Sequence, residues 1–232
     1  MSYPDGRVTR GKPSELIGQK FDPLSVIMTF NPDPLPEFPP RPRDEDFLRS
    51  PAIPMTREDV RTVILDRLCL TRDAILWDIG AGTGSVSVAC SQFCPYGEAH
   101  AVEKLPEAVR LLNANKKKFR AYNLFTHEGD AENLIESLPL PTHVFVGGGG
   151  KKLRYILERV GNLSASGGRK IFVVVSGVTL STIGTAYEIL SGAGFGGLDV
   201  TQISVSRGKN VGDSMIMAAR NPVTLLSAWT AC

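Results

Sequence analysis

No stretch of the 232-residue sequence approaches the ~18 uninterrupted apolar residues that a membrane-spanning helix needs. The first residues, MSYPDGRVTRGKP, lack the apolar segment of a secretory leader. A cytoplasmic protein with no membrane contact is therefore expected. An excess of one charge is also missing. Lys and Arg total 26 against 24 Asp and Glu, a formal net charge of +2. That balance gives none of the basic excess that marks a duplex nucleic-acid binder, and no nucleic-acid partner is expected. Metal-binding side chains are scarce. There are 4 cysteines (Cys69, Cys90, Cys94, Cys232) and 3 histidines (His100, His127, His143). Cys90 and Cys94 share one face of a predicted helix, but no histidine adjoins them to complete a ligand set. Packed thiols and imidazoles are expected, and no metal.

What is present describes a globular chain. Hydrophobic residues make up 42% and charged residues 22%, which excludes wholesale disorder, a collagen-like chain and a coiled coil. The length suffices for a sizeable core without disulfides.

Two regions differ in composition. Pro4, Pro13, Pro23, Pro32, Pro34, Pro36, Pro39, Pro40 and Pro42 fall within residues 1–43, out of 16 prolines in all. Proline fixes φ and removes a backbone donor, so this stretch reads as an arm or linker without a helix or central strand. Within it only 24–30, LSVIMTF, reads as a strand. Residues 44–232 read as the folded domain. Thr56 with Asp59 resembles a helix-opening capping box, and Val60, Val63, Ile64 and Leu68 recur at helical spacing.

Strands and helices then alternate. Strands are predicted over 74–79, 99–103, 124–128, 143–146 and 170–176. Helices are predicted over 85–93, 106–119, 131–137, 151–163 and 180–191. Two last strands, 199–206 and 213–219, read as an antiparallel pair. The alternation predicts an α/β fold with a doubly wound, mostly parallel sheet and an antiparallel edge.

The first strand runs directly into Asp78-Ile79-Gly80-Ala81-Gly82-Thr83-Gly84-Ser85. Glycines there allow a tight turn and let a ligand approach the backbone, at the turn where such folds place a cofactor. The spacing is not that of the nicotinamide fingerprint G-x-G-x-x-G. It resembles motif I of the Rossmann-like S-adenosylmethionine-dependent methyltransferases. That resemblance implies a seven-stranded sheet and S-adenosyl-L-methionine as cofactor. Glu103 ends the second strand, where a carboxylate can accept ribose hydroxyls. Gly129-Asp130-Ala131 end the third strand, beside the adenine ring in such enzymes, and Asp130 can also cap the helix that follows. The fourth strand ends in Gly147-Gly148-Gly149-Gly150, then Lys151 and Lys152. So many glycines are entropically costly, and at this edge they suggest close approach of a flat or bulky ligand. The Asn-Pro-Pro-Tyr-like loop of many methyltransferases acting on exocyclic nitrogen is missing, which points to another acceptor atom.

Residues 43 to about 228 resemble the decarboxylating precorrin-6B C(15)-methyltransferases of the corrin pathway to cobalamin. The marks are Arg43-Asp44-Glu45-Asp46-Phe47-Leu48-Arg49, Pro54-Met55-Thr56-Arg57-Glu58-Asp59-Val60-Arg61 and Trp77-Asp78 with the glycine loop. To these are added Gly129-Asp130-Ala131, the run 147–150, Ser206-Arg207-Gly208-Lys209, Met215-Ile216-Met217 and Asn221-Pro222-Val223. Carried over by position, the cofactor contacts are Thr56, Gly80, Ala81, Gly82, Thr83, Gly84, Glu103, Asp130 and Ala131. The resemblance implies a tetrapyrrole polycarboxylate substrate, and Gly147, Gly148, Gly149, Lys151, Lys152 and Arg207 are its candidate contacts. Arg49, Arg154 and Lys209 are further cations for its carboxylates. No catalytic side chain is assigned. The resemblance also implies a homotetramer. Residues 20–26 resemble the tail of the C(5)-methyltransferase domain often fused upstream, so such a domain or protein is a possible partner. A methyltransferase acting on RNA or another small metabolite, or a cofactor-binding module without catalysis, stays open as an alternative.

Overall fold

A computed structural model describes residues 6–34, 41–148 and 150–231. The chain divides into two compact units, residues 1–39 and 40–232. The first holds a one-turn helix, α1 (Pro13–Leu16). It forms within the proline-rich stretch because Pro13 sits at the first helical position, where no N–H is needed. Residues 24–30 do not form the expected strand. Among the described residues no strand pairs with them, and Leu24, Val26, Met28 and Phe30 are almost fully exposed. An isolated extended segment has no ladder to satisfy its backbone.

The second unit begins with α2 (Glu58–Leu68). It continues as β1 (Ile75–Ile79), α3 (Ser85–Phe93), β2 (Glu98–Glu103), α4 (Pro106–Lys118), β3 (Leu124–Glu128) and the short α5 (Ala131–Leu134). Then come β4 (His143–Val146), α6 (Leu153–Gly167), β5 (Phe172–Gly177), α7 (Leu180–Leu190), β6 (Phe195–Ile203), β7 (Ser206–Val211), β8 (Ser214–Ala219) and β9 (Val223–Thr230). Seven strands form one sheet in the order β3-β2-β1-β4-β5-β9-β6. All pairings from β3 to β5 are parallel, and β9 runs antiparallel to both neighbours.

Successive residues of a strand face opposite sides, and here both sides are apolar. Leu76, Ala99, Ala101, Phe145, Val174 and Leu225 pack under α2, α3 and α4. Trp77, Val102, Val144, Val146, Val173, Val175 and Leu226 pack under α6 and α7. Two covered faces are what a parallel sheet requires.

The C-terminal third corrects the sequence reading. The segments expected to pair with each other do not. β8 pairs with β7 as a separate hairpin, while β6 pairs with β9. β9 was not foreseen, because its core-facing run LLSA is short and non-periodic. It inserts between β5 and β6 and buries Leu225, Leu226 and Ala228.

The start of α2 also differs. Its N-cap is Arg57, without a side-chain cap, so Thr56 does not cap it. Asp44 does that work from outside: its Oδ1 accepts the Glu58 N–H at 2.8 Å, and Glu58 Oε2 accepts the Asp44 N–H at 3.2 Å. Arg61, nearly fully buried, ties the same region down. It donates to the Pro42 and Thr56 carbonyls at 2.7 Å each, pairs with Asp44 at 3.4 Å, and lies over the Phe47 ring. Cys90 and Cys94 are buried in and beside α3, and burial pushes the Cys94 thiol up to about 11, as expected for packed thiols.

Candidate active site

The C-terminal ends of β1 to β4 all point to one edge of the sheet, and the loops leaving them enclose a cavity of about 520 Å³. That size is typical of a small-molecule or cofactor site.

The glycine loop forms one wall. Gly80, Gly82 and Gly84 have φ of +78°, +57° and +77°, a region closed to most side chains. Each is also short of space. A Cβ on Gly80 would lie 2.7 Å from Gly148 Cα, one on Gly82 2.9 Å from the Pro54 carbonyl oxygen, and one on Gly84 2.8 Å from Leu112 Cγ. Gly80, Ala81 and Gly82 line the cavity, whereas Thr83 and Gly84 stand behind its wall. The Thr83 carbonyl accepts from Asn115 Nδ2 at 2.9 Å, and that buried amide also exchanges hydrogen bonds with the Leu48 backbone. The loop is thus fixed from behind.

The fourth-strand glycines gain a second reason. Gly147 and Gly148 line the cavity, and both N–H groups donate to the Ile79 carbonyl, at 3.0 and 3.3 Å. The loops after β1 and β4 therefore meet backbone to backbone. Gly149 lies outside the described residues.

Glu103 lies at the mouth of α4, and its carboxylate is held by three backbone donors. Oε2 accepts from Gly82 at 2.9 Å, and Oε1 from Lys104 and Leu105 at 2.8 and 2.9 Å. An ionised carboxylate offers about four acceptor positions, so one remains toward the cavity that Glu103 lines. Asp130 and Ala131 line the same end. Asp130 occupies the N-cap position of α5 without a side-chain cap bond, and Lys104 Nζ lies 3.8 Å from it. Thr56 and its neighbours cover the loop from the other side. Ser85 Oγ donates to the Thr56 carbonyl at 3.2 Å.

The cations divide. Lys152 lines the cavity and pairs with Glu132 at 2.5 Å. Lys151, Arg49, Arg154, Lys209 and Arg207 are not on its wall. Arg154 pairs with Glu188 at 2.6 Å. Arg207 grips Asp59 through Nε at 2.9 Å and Nη2 at 2.8 Å, and reaches Glu58 at 2.6 Å.

Sequence reasoning gave no ligand role to several wall residues, Asp78, Arg220 and Asn221 among them. Asp78 is fully buried on β1, and burial raises its carboxyl from 3.8 to about 7. Oδ2 accepts from Ser87, while Oδ1 has no partner among the described residues. Its place two residues before the first glycine was the available signal. Arg220 and Asn221 also line the cavity. They precede β9, whose position could not be read locally.

A doubly wound sheet with this loop, an acidic residue closing β2 and a cavity along the loops define the Rossmann-like methyltransferase class. Residues 51–230 match the precorrin methyltransferase domain family, and the chain belongs to that family. It is similar to two curated relatives named probable cobalt-precorrin-6B C(15)-methyltransferase (decarboxylating). The one from Pyrobaculum calidifontis is 37% identical and the one from Pyrobaculum aerophilum 32% identical, each over 80% of this chain and 94% of the relative. Among solved structures, the precorrin-6y C5,15-methyltransferase from Geobacter metallireducens superposes with a TM-score of 0.73 at 33% identity. That match covers 81% of this chain and 95% of the other.

Proposed function

We propose that the protein methylates C(15) of the tetrapyrrole (cobalt-)precorrin-6B with S-adenosyl-L-methionine and releases the C(12) acetate carboxyl as carbon dioxide, in the biosynthesis of cobalamin. The observation that carries this reading is the cavity of about 520 Å³. It joins a glycine loop and an acidic strand end to a wall of glycines and cations, in a chain that spans almost the whole length of relatives named for that reaction.

The residues present fit the cofactor. Gly80 and Gly82 offer bare backbone to the cavity, and Ala81 adds only a methyl group. Glu103 keeps one acceptor position for a ribose hydroxyl, and Asp130 and Ala131 stand where the adenine would lie. Thr56 closes the site from above, and Thr83 and Gly84 hold the loop in shape. Asp78 Oδ1, buried without a partner among the described residues, suits a cationic amino group. When bound, the cofactor supplies an electrophilic methyl group.

The chain's own work is placement. Holding two reactants in line at contact distance can contribute about 7–11 kcal/mol. An electron-rich ring carbon attacks without a general base, and no His or Cys stands on the cavity wall among the described residues. The electron pair left by departing carbon dioxide passes into the conjugated ring, so the protein orients the acetate and excludes water. Gly147, Gly148 and Lys152 border the ring in this reading.

The reading includes a homotetramer in the cytoplasm. The β7–β8 hairpin, standing apart from the main sheet with Met215, Ile216 and Met217 exposed, supports a contact between copies. Residues 1–43 serve as the arm, and its exposed apolar segment suits a C(5)-methyltransferase domain or protein. Mass spectrometry of the product from a precorrin-6B-type substrate tests the reaction. A gain of one methyl with loss of carbon dioxide is expected, and methylation of RNA or of a small metabolite instead would overturn it.

A further inference from the structure

Four cationic side chains line the cavity: Arg57, Lys104, Lys152 and Arg220. Three are engaged by carboxylates. Arg57 lies 3.7 Å from Asp44, Lys104 3.8 Å from Asp130 and Lys152 2.5 Å from Glu132. Arg220 makes no side-chain hydrogen bond or ion pair with any described residue. It acts on Asp59 only through its field. Asp59 also borders the cavity, but both of its carboxylate oxygens are taken by Arg207. The donors of Arg220 therefore remain available to a ligand.

The backbone under Arg220 is fixed. Its N–H donates to the Val205 carbonyl at 2.9 Å. The two linkers leaving β6 and entering β9 are joined there, directly above the Ile203–Val223 and Gly177–Thr224 register. This is the ligand edge of the sheet, at its opposite end from Glu103. β2 and β9 are separated by four strand spacings, about 19 Å across the sheet. Glu103 and Arg220 thus address opposite ends of the cavity.

We propose that Arg220 anchors a carboxylate of the tetrapyrrole substrate, and that Arg207 is a positioning residue that neutralises Asp59 beside it. This rests on the reading above that the substrate is a polycarboxylate. A planar guanidinium with a complete set of donors binds a carboxylate through two parallel hydrogen bonds, which a lysine cannot reproduce. Arg207, assigned from sequence to the substrate itself, acts here through its neighbour.

The test compares the unaltered protein with Arg220→Leu, Arg220→Lys, Arg207→Leu and the double variant Arg207→Leu/Asp59→Asn. Turnover is measured with a precorrin-6B-type substrate, and cofactor affinity by calorimetry. Arg220→Leu is expected to raise the substrate KM at least tenfold and Arg220→Lys by less, while cofactor affinity stays within twofold. Arg207→Leu is expected to raise KM by baring Asp59, and the double variant to recover most of the loss. An unchanged KM in Arg220→Leu overturns this inference and leaves the functional reading standing. Loss of cofactor affinity in folded Arg220→Leu and Arg220→Lys overturns it too, by placing Arg220 on the cofactor's carboxylate. Failure of the unaltered protein to turn over any such tetrapyrrole overturns the functional reading and this inference together.

Discussion

Glu103 Oε2 accepts the backbone N–H of Gly82 at 2.9 Å, so the end of the second strand and the turn after the first are one structure. The carboxylate shapes the loop and leaves a single acceptor position for a ligand. Glu103→Ala should cost one charge-assisted hydrogen bond, on the order of 2 kcal/mol or roughly 30-fold in cofactor affinity. Glu103→Gln should lose less. Calorimetric titration with S-adenosylmethionine checks both, and equal affinity in all three proteins would remove Glu103 from the ribose.

Gly80 is constrained twice, by φ of +78° and by Gly148 Cα at 2.7 Å from a prospective Cβ. Gly80→Ala should separate the two loops and lower the melting temperature by several degrees, as about 2 kcal/mol does in a domain of this size. Gly168 provides the control. Its φ is +59°, but a Cβ there meets nothing within 4 Å. Gly168→Ala should therefore show only the smaller conformational cost. Equal losses in the two variants would mean that the loop contact carries no weight.

Asp78 gives a pH dependence of defined sign. Burial raises its carboxyl to about 7 in the folded protein, against 3.8 as the ordinary value. A raised folded value means that the group's contribution to stability is complete below about pH 4 and is lost as pH rises through about 7. Asp78→Asn should remove that slope in a series of urea denaturations. Cofactor affinity should run the other way and weaken as pH falls below about 7, because the neutral acid no longer attracts an ammonium group. A flat affinity profile between pH 5.5 and 8.5 would detach Asp78 from the cofactor.

The two lysines after the glycine run should separate. Lys152 is on the cavity wall and Lys151 is not. Lys152→Ala should raise the substrate KM several-fold, partly by leaving Glu132 unpaired beside the site. Lys151→Ala should leave steady-state kinetics unchanged. A KM effect confined to Lys151→Ala would reverse the assignment.

Some of this was written locally in the chain and some was not. The strand–glycine–helix unit from Asp78 to Phe93, the acidic end of β2 and the alternation of elements were legible. Each depends on contiguous residues whose spacing sets backbone conformation and burial: the loop needs positive φ at Gly80, Gly82 and Gly84, and the strands need two apolar faces. The sequence alone therefore determined the sheet's class, the glycine turn at the sheet edge and the family resemblance. Sheet order, partnership and protonation came only with the tertiary structure. β9 enters between β5 and β6 because Leu225 and Leu226 complete cores built from distant strands. The Gly80–Gly148 approach, the capture of Arg207 by Glu58 and Asp59, the freedom of Arg220 and the raised carboxyl of Asp78 all arise between residues far apart in the chain. Their energies depend on which groups folding brings together and how far it removes them from water, and no spacing along a sequence encodes that.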